Sequence, residues 1–252
     1  MENGIFGSRE NKNRPQSVGR NKREMKTGGK KIMVIVAHPD DEILGIGGTI
    51  LKHVAEKDEV SALILGDGEL SRSTATSTDT KRREKQAEQV SKKLGFKNLF
   101  LEKLPDNQFD SIPLLSIAKI VEKYINKIRP DIIYTHHGGD LNIDHKLTFQ
   151  AVLTACRPQP GFFVKKIFTF ETPSSTEWEN KNSGKTFMPN FYNNITSFID
   201  RKIEALKIYR NEMRSYPHPR SYEGIRILAK YRGMNVGYEC AEAFEIIREL
   251  ND

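Results

Sequence analysis

The sequence predicts an α/β fold: a doubly wound, mostly parallel (Rossmann-like) sheet with helices on both faces. The first observation is a set of short, continuous apolar runs at 32–36, 60–65 and 132–135. Such runs are typical of strands that are buried on both faces. The second observation is a helical spacing of apolar residues between these runs, clearest over 112–128. Alternating strands and helices predict a parallel sheet with right-handed crossovers.

The predicted elements follow one another in a regular order from residue 31 onward. The patterns predict strands at 31–37, 60–65, 98–101, 131–135 and 165–170. They predict helices at 43–56, 79–94, 112–128, 145–155, 197–212 and 239–250, with Gly95 ending the second. Residues 71–80, rich in Ser and Thr, predict a mobile loop at the rim of a site. We expect residues 30–252 to form one domain, which is long enough to bury a substantial core.

The positive charge of the chain is concentrated in its N-terminal segment. The formal net charge is +7, and residues 1–31 contain nine basic and three acidic residues. Residues 1–29 carry few large apolar side chains, so we expect a disordered basic tail. Because the remainder is close to neutral, we expect no specific nucleic-acid partner.

Cysteine content and hydropathy indicate the compartment. Cys156 and Cys240 are the only cysteines and are far apart in sequence, which predicts a reducing environment without disulfides. No apolar run approaches the ~20 residues that span a bilayer, and no apolar segment of a secretory signal is present. We therefore expect a cytoplasmic protein without a transmembrane segment.

Polar side chains of the kind that carry chemistry follow the first predicted strand directly. The stretch Ala-His-Pro-Asp-Asp-Glu at 37–42 places one imidazole and three carboxylates within five residues. The carboxyl end of a strand is where ligands bind in an α/β sheet. A simple turn with a helix-capping carboxylate would need one Asp and would have no use for His38.

A second polar loop follows the strand at 131–135. It reads His-His-Gly-Gly-Asp-Leu-Asn-Ile-Asp-His over 136–145. Parallel strands that end at the same edge of a sheet bring their loops together. One loop supplies His and Asp and the other supplies His, and this set suits a Zn²⁺ site with an open position for water. We expect one such ion, although another divalent metal would also suit these ligands.

The two motifs resemble those of the LmbE-like (PIG-L type) zinc N-deacetylases, and the resemblance covers about 32 to 160. It implies that His38, Asp41 and His145 bind zinc and that Asp40 is the general base. It also implies an arginine that reaches the substrate from the helix at 79–94. Arg83 matches this position best, with Arg82 close behind.

The chain departs from the family at Asn142, where many members have the first His of His-x-Asp-His. In the family that His is thought to stabilise the oxyanion or to protonate the leaving group, so the role is open here. His218, Asn142 and His137 are the candidates for a second oxyanion donor. We hypothesise that His218, held between Pro217 and Pro219, enters the site; a rigid surface turn is the alternative.

The remaining candidates support or extend the site. Asp144 and Asp140 are candidates for orienting the imidazoles by hydrogen bonding. Asp106 follows the strand at 98–101 and is a candidate for binding a sugar hydroxyl or for capping a turn. Trp178, with other aromatics of 171–194, is a candidate either to line a sugar pocket or to pack.

The predicted function is metal-dependent hydrolysis of an N-acyl bond, most plainly the N-acetyl group of an amino sugar or glycoconjugate. Zinc-activated water would attack the amide. One alternative is a zinc amidohydrolase that acts on a non-sugar amide. Another is a catalytically silent sugar- or nucleic-acid-binding protein, motivated by Asn142 and the basic tail. A homo-oligomer is compatible with the sequence.

Overall fold

The computed structural model describes Met1, residues 29–68 and residues 77–251. The predicted disorder of the tail therefore lies outside the described residues, as does the predicted loop up to residue 76. The helix predicted to begin at residue 79 begins at Ser77, so the last residues of the predicted loop are helical. No helix within the described ranges is both long and apolar enough to cross a membrane.

Within the described residues, seven strands form one sheet, and six α-helices connect or cover them. The strands are β1 (Lys31–Val36), β2 (Glu59–Gly66), β3 (Asn98–Leu104), β4 (Ile132–His136), β5 (Lys166–Phe170), β6 (Phe191–Asn194) and β7 (Ala241–Glu249). The helices are α1 (Asp41–Ala55), α2 (Ser77–Leu94), α3 (Leu114–Ile128), α4 (Ile143–Ala155), α5 (Ile199–Leu206) and α6 (Tyr222–Met234). The strand order is β3-β2-β1-β4-β5-β7-β6.

The predicted fold class is confirmed. Among the strands that the structure describes, β1 to β5 are parallel, and only β7 runs antiparallel to its neighbours β5 and β6. Alternate side chains of β1 enter two separate cores. Ile32, Val34 and Val36 pack with α1, α2, α5 and α6 on one face. Met33 and Ile35 pack with α3 and α4 on the other face.

The C-terminal part of the chain differs from the sequence prediction. Residues 239–250 were predicted to be helical but form β7, which pairs with strands on both sides. The helix α6 and the short strand β6 were not predicted. The helix expected over 197–212 is present but shorter, ending at Leu206 before a 3-10 turn.

Helix α1 is broken one turn after the first polar loop, at Ile46, whose φ is −132°. A straight helix would bond the N–H of Gly48 to the carbonyl of Leu44. Instead Glu242 accepts the N–H groups of Gly48 and Thr49, at 2.9 and 2.7 Å. Lys202 Nζ donates to Leu44 O at 2.8 Å and to Glu242 Oε1 at 2.7 Å. A buried ion pair thus fills the break and sets the direction of the first turn, which carries Asp41.

The glycines of α1 serve this packing. A Cβ on Gly48 would lie 2.8 Å from the Ile195 side chain, and one on Gly47 would lie 3.1 Å from Lys202. The absence of side chains therefore lets α5 and the 195 segment approach α1.

Candidate functional site

The two polar loops meet because their strands are neighbours. β1 and β4 pair in parallel, with Ile35 opposite Thr135. The residues that follow them therefore emerge at the same edge of the sheet. A backbone N–H of the first loop, that of Ala37, donates to His136 Nε2 at the end of β4 (3.0 Å) and ties the two strand ends together.

Three side chains converge at this edge: His38, Asp41 and His145, all buried. One ligand atom from each lies within 4.8 Å of the other two. Asp41 Oδ2 is 3.4 Å from His38 Nδ1 and 3.3 Å from His145 Nε2. The same oxygen accepts the backbone N–H of His38 at 2.9 Å, which fixes the carboxylate.

The second ring nitrogen of each imidazole, the one that does not face Asp41, contacts another carboxylate. Asp144 Oδ2 is 2.9 Å from His38 Nε2, and Asp140 Oδ1 is 3.1 Å from His145 Nδ1. Asp144 is itself held by the backbone N–H groups of Asn107 and Phe109. These contacts leave His38 Nδ1 and His145 Nε2 facing Asp41, as expected for ligating imidazoles whose other nitrogen is oriented by an acid.

The electrostatics of this cluster favour positive charge at its centre. Burial would lower the pKa of His38, but the hydrogen bond to Asp144 and the charge of Asp41 outweigh it and raise the pKa to about 10. Burial is likewise outweighed at His145, where Asp41 and Asp140 raise the pKa to about 9. Burial would raise the pKa of Asp41, yet the charge of His145 holds it well below its usual value.

The donor set fits a divalent cation. Asp41 Oδ1 and both ring nitrogens of His145 are buried and make no hydrogen bond of acceptable geometry within the described part of the chain, although Asp140 Oδ1 lies 3.1 Å from His145 Nδ1. Ligand atoms at 2.0–2.2 Å from a tetrahedral Zn²⁺ lie about 3.4 Å apart. The contacts of Asp41 with the two imidazoles, at 3.3 and 3.4 Å, have this spacing. A cation would replace the protons that the acids now stabilise on the imidazoles.

Asp40, next to this cluster, has an unusual backbone. Its φ of +124° is rare for a residue with a side chain, and such strain concentrates at functional sites. Glu42 accepts the N–H of Asp40 at 2.9 Å, and Tyr209 donates to Glu42 at 3.0 Å. Burial raises the pKa of Glu42 to about 8. Glu42 therefore binds the strained peptide of Asp40.

The carboxylate of Asp40 faces two guanidinium groups. Arg220 Nη1 lies 3.2 Å from Asp40 Oδ2, and Arg83 Nη2 lies 3.6 Å from the same oxygen. Burial raises the pKa of Asp40 to about 6, although Arg220 and Arg83 oppose the rise. Arg83 also lies 3.5 Å from Glu212 and packs over the Tyr209 ring.

A cavity of about 180 Å³ opens above these groups. It includes five residues predicted for the site, together with four others. The lining residues are His38, Asp40, Gly68, Arg83, Asp106, Asn107, Asn142, Glu212 and Arg220. Asp106 also approaches His38 Nε2 at 3.1 Å, so it contacts a predicted ligand as well as the cavity.

Two of the residues predicted for catalysis or substrate binding, His137 and His218, do not line this cavity. Both nitrogens of His137 are engaged, by Glu245 Oε2 and by Lys185 O, each at 2.7 Å. His137 therefore holds the segment before β6 rather than facing the cavity. His218 accepts the backbone N–H of Arg220 at 3.0 Å, and its ring stands edge-on to Trp178.

Asn142 lines the cavity, but its side chain caps the N-terminus of α4. We expected α4 to begin at His145, but it begins at Ile143 with Asn142 as its N-cap. The Asn142 side chain accepts the N–H of Asp144 at 2.8 Å and donates to Asn107 Oδ1 at 3.1 Å. A short polar residue at this position is what a helix N-terminus favours.

The sequence reasoning did not identify His136, Glu212 or Arg220 as site residues. His136 is fully buried, stacks on His145 with ring centroids 3.8 Å apart, and has a pKa lowered to about 4 by burial. His136 is therefore a neutral ring that packs against His145, a predicted metal ligand. Arg220 had a sequence signal, because it lies in the proline-rich turn that had drawn attention to His218.

Comparisons with known proteins find similarity over the region that contains both polar loops. Residues 33–156 match the family model described as GlcNAc-PI de-N-acetylase (PIG-L). A probable N-acetyl-alpha-D-glucosaminyl L-malate deacetylase from Bacillus anthracis is 22% identical over 190 residues, which is 73% of this chain and 81% of that protein.

Solved structures share the fold at low identity. The N,N'-diacetylchitobiose deacetylase of Pyrococcus horikoshii superimposes with a TM-score of 0.71 at 22% identity, covering 86% of this chain and 84% of that one. GalB, a 4-carboxy-2-hydroxymuconate hydratase from Pseudomonas putida KT2440, gives 0.69 at 20% identity, covering 88% and 98%. Because fold-mates include a hydratase, the reaction must be argued from the site.

Proposed function

The chain belongs to the PIG-L type family of N-deacetylases, and from that premise we propose that it hydrolyses the N-acetyl group of an amino sugar. The observation that supports this most directly is the arrangement of one cavity. A carboxylate, Asp40, lines it beside a cluster of His38, Asp41 and His145 that is suited to a cation. Water activation and amide hydrolysis need both parts.

We propose Zn²⁺ as the ion, held by His38 Nδ1, Asp41 and His145 Nε2. Two imidazoles and one carboxylate, with an open fourth position, are typical of catalytic zinc. When bound, the ion supplies Lewis acidity at the acyl carbonyl and lowers the pKa of water to about 7. Asp144 and Asp140 would keep the imidazoles in the ligating tautomer.

Asp40 carries the proton in this proposal. It takes a proton from water as the water oxygen bonds to the acyl carbon and the carbonyl electron pair moves onto oxygen. When the C–N bond breaks, its electron pair stays on nitrogen, which receives the proton from Asp40. The pKa of about 6 suits this exchange, because the carboxylate is ionised near neutral pH and yet accepts a proton readily.

The cavity wall suits a hydroxyl-rich substrate. Its lining combines donors such as Arg83 with acceptors such as Asp106, and apolar side chains are scarce in it. We propose that Arg83 and Asp106 bind sugar hydroxyls, since a polyhydroxylated ring can donate to one and accept from the other. The acetyl group would point down towards His38.

The first test measures metal and turnover together. His38→Ala and His145→Ala should each purify with much less than one metal ion per chain. Asp40→Asn should retain the ion and lose about 10²–10⁴-fold in kcat, the usual contribution of a general base. Asp110→Asn, which changes an exposed carboxylate, is the matched control and should match the native enzyme. Native turnover in Asp40→Asn would remove Asp40 as the base.

The second test is a substrate panel that follows acetate and amine release. We expect release from N-acetylglucosamine derivatives, including a glycoside and a disaccharide. Faster release from N-acetyl-lysine than from every sugar would favour the alternative of a non-sugar amidohydrolase. Sugar binding without amine release by the metal-loaded protein would favour the catalytically silent reading.

A further inference from the structure

In many members of the family a histidine is thought to stabilise the oxyanion or to protonate the leaving group. This chain has Asn142 at that position. Asn142 is committed to capping α4 and to Asn107. His137 is committed to Glu245 and Lys185 O, and His218 does not line the cavity. None of the three side chains offered by the sequence is placed to do this work.

Arg220 reaches the place that these residues leave open. Its side chain enters the cavity with 20% of its surface exposed, and Nη1 lies 3.2 Å from the carboxylate of Asp40. Under the proposed function, Asp40 adjoins the attacking water and the acyl carbon. A guanidinium in hydrogen-bond contact with Asp40 therefore lies beside the reacting atoms.

The guanidinium is fixed before any substrate arrives. Its Nε donates to Pro173 O at 3.2 Å, and its backbone N–H donates to His218 Nδ1 at 3.0 Å. The carbonyl of Arg220 accepts the N–H of Arg214 at 3.2 Å. Donors that are already oriented cost no reorganisation when charge develops, which is the condition for strong oxyanion stabilisation.

We propose that Arg220 is a catalytic residue that stabilises the tetrahedral oxyanion in place of the missing family histidine. This inference rests on the proposed function. In the ground state the guanidinium pairs with the Asp40 carboxylate. As Asp40 takes the water proton, that carboxylate becomes neutral while negative charge appears on the carbonyl oxygen. The best hydrogen-bond acceptor for Arg220 thus changes from the Asp40 carboxylate to the carbonyl oxygen during the step. Arg220 therefore stabilises the transition state more than the ground state.

The role differs chemically from that of a histidine. A guanidinium stays protonated at any working pH, so Arg220 donates hydrogen bonds but gives no proton to the leaving amine. Asp40 is then left to protonate the amine. His218 becomes a positioning residue, because it holds the Arg220 backbone.

The kinetic test uses Arg220→Ala and Arg220→Lys on N-acetyl and N-trifluoroacetyl amino-sugar substrates. Removing one oxyanion donor should lower kcat about 10²–10³-fold, with a smaller effect on KM. Fluorine withdraws charge from the oxyanion, so the loss in Arg220→Ala should be smaller for the trifluoroacetyl substrate. Methylguanidinium in the buffer should restore part of the activity of Arg220→Ala. Arg226→Ala, an exposed arginine paired with Asp200, is the control and should behave as the native protein does.

The results separate this proposal from a structural role. An equal loss on both substrates without chemical rescue, or a rise in KM alone, would overturn it. Metal content of one ion per chain and an unchanged circular dichroism spectrum should accompany the loss in Arg220→Ala.

A binding measurement separates failure of this proposal from failure of the proposed function. Methylphosphonate is a tetrahedral oxyanion that needs no amide chemistry, and calorimetry can measure its affinity for the metal-loaded protein. We expect tighter binding to the native protein and to Arg226→Ala than to Arg220→Ala. If no N-acyl sugar is hydrolysed but this difference remains, the deacetylase proposal fails and the oxyanion site stands. Equal affinities of the native protein and Arg220→Ala would refute the oxyanion site.

Discussion

The buried ion pair in the break of α1 allows a quantitative prediction. Lys202→Met keeps the length and the apolar stem of the side chain but removes the ammonium group. The Glu242 carboxylate, only 5% exposed, then loses its charged partner, and Leu44 O loses its donor. Breaking a buried pair from one side costs about 3–5 kcal/mol. Because Glu242 keeps two backbone N–H donors, we expect about 3 kcal/mol.

The assays are urea unfolding and thermal unfolding of metal-free protein, each followed by far-ultraviolet circular dichroism. For a protein of this size, 1 kcal/mol shifts Tm by about 2–4 °C, so Tm should fall by roughly 6–12 °C. The control is Lys207→Met, which breaks an exposed pair with Glu204 and should leave the stability close to that of the native protein.

The double variant Lys202→Met/Glu242→Gln provides the sharper criterion. With both charges gone, no buried ion is left unpaired, and the Gln carbonyl still accepts one N–H of the broken helix. The double variant should therefore be less destabilised than the sum of the two single variants. Additive losses, or a loss below about 1 kcal/mol in Lys202→Met, would refute the role assigned to the pair.

Three further predictions follow from contacts around the site. Asp140→Asn should weaken metal affinity about 10–100-fold, measured by chelator competition, because Asp140 orients a ligating imidazole. Gly48→Ala should cost about 1–3 kcal/mol in urea unfolding, because the methyl group would press on Ile195. The pKa of His137 is raised in the folded protein because Glu245 outweighs burial. Its stabilisation is therefore complete below about pH 6.5 and is lost as pH rises through the folded pKa. The amide protection factors at 185–188, which are corrected for the intrinsic exchange rate, should fall over that rise, and Glu245→Gln should abolish this fall.

The sheet and the cation cluster could be predicted because local sequence patterns determine them. A short, continuous apolar run in the sequence predicts a strand that is buried on both faces, and each polar loop begins where such a run ends. Adjacent parallel strands then bring His38 and His145 together without further information. The orienting carboxylates Asp140 and Asp144 were also anticipated, because ligating imidazoles need a partner at the second nitrogen.

The C-terminal strand was mispredicted because its composition favours a helix. Ala241–Glu249 is rich in Ala and Glu, and its apolar residues occur in pairs that match helical spacing. Pairing with strands on both sides overrides this local preference, and its first four residues are all buried. Alternation of polar and apolar residues, the usual signal of a strand, is therefore absent.

The choice of His218 over Arg220 shows a different limit of sequence reasoning. Both residues lie in one proline-rich turn, and the sequence does not encode which side chain points inward. The direction is set by contacts with distant segments: Trp178 packs on His218, and Pro173 O binds Arg220. Glu242 and Lys202 were missed for the same reason, since their partners in α1 are remote in sequence.

The large sequence separation of these contacts has a consequence for the order of folding. Glu242 and Gly48 are separated by 194 positions, and Lys202 and Leu44 by 158. A fragment limited to 33–156 holds every proposed metal ligand but neither residue that fills the break in α1. Contacts between such distant positions form slowly during folding. We therefore expect the metal-binding turn to become ordered late, once the far end of the polypeptide has docked, and a nascent chain to bind the ion weakly until then.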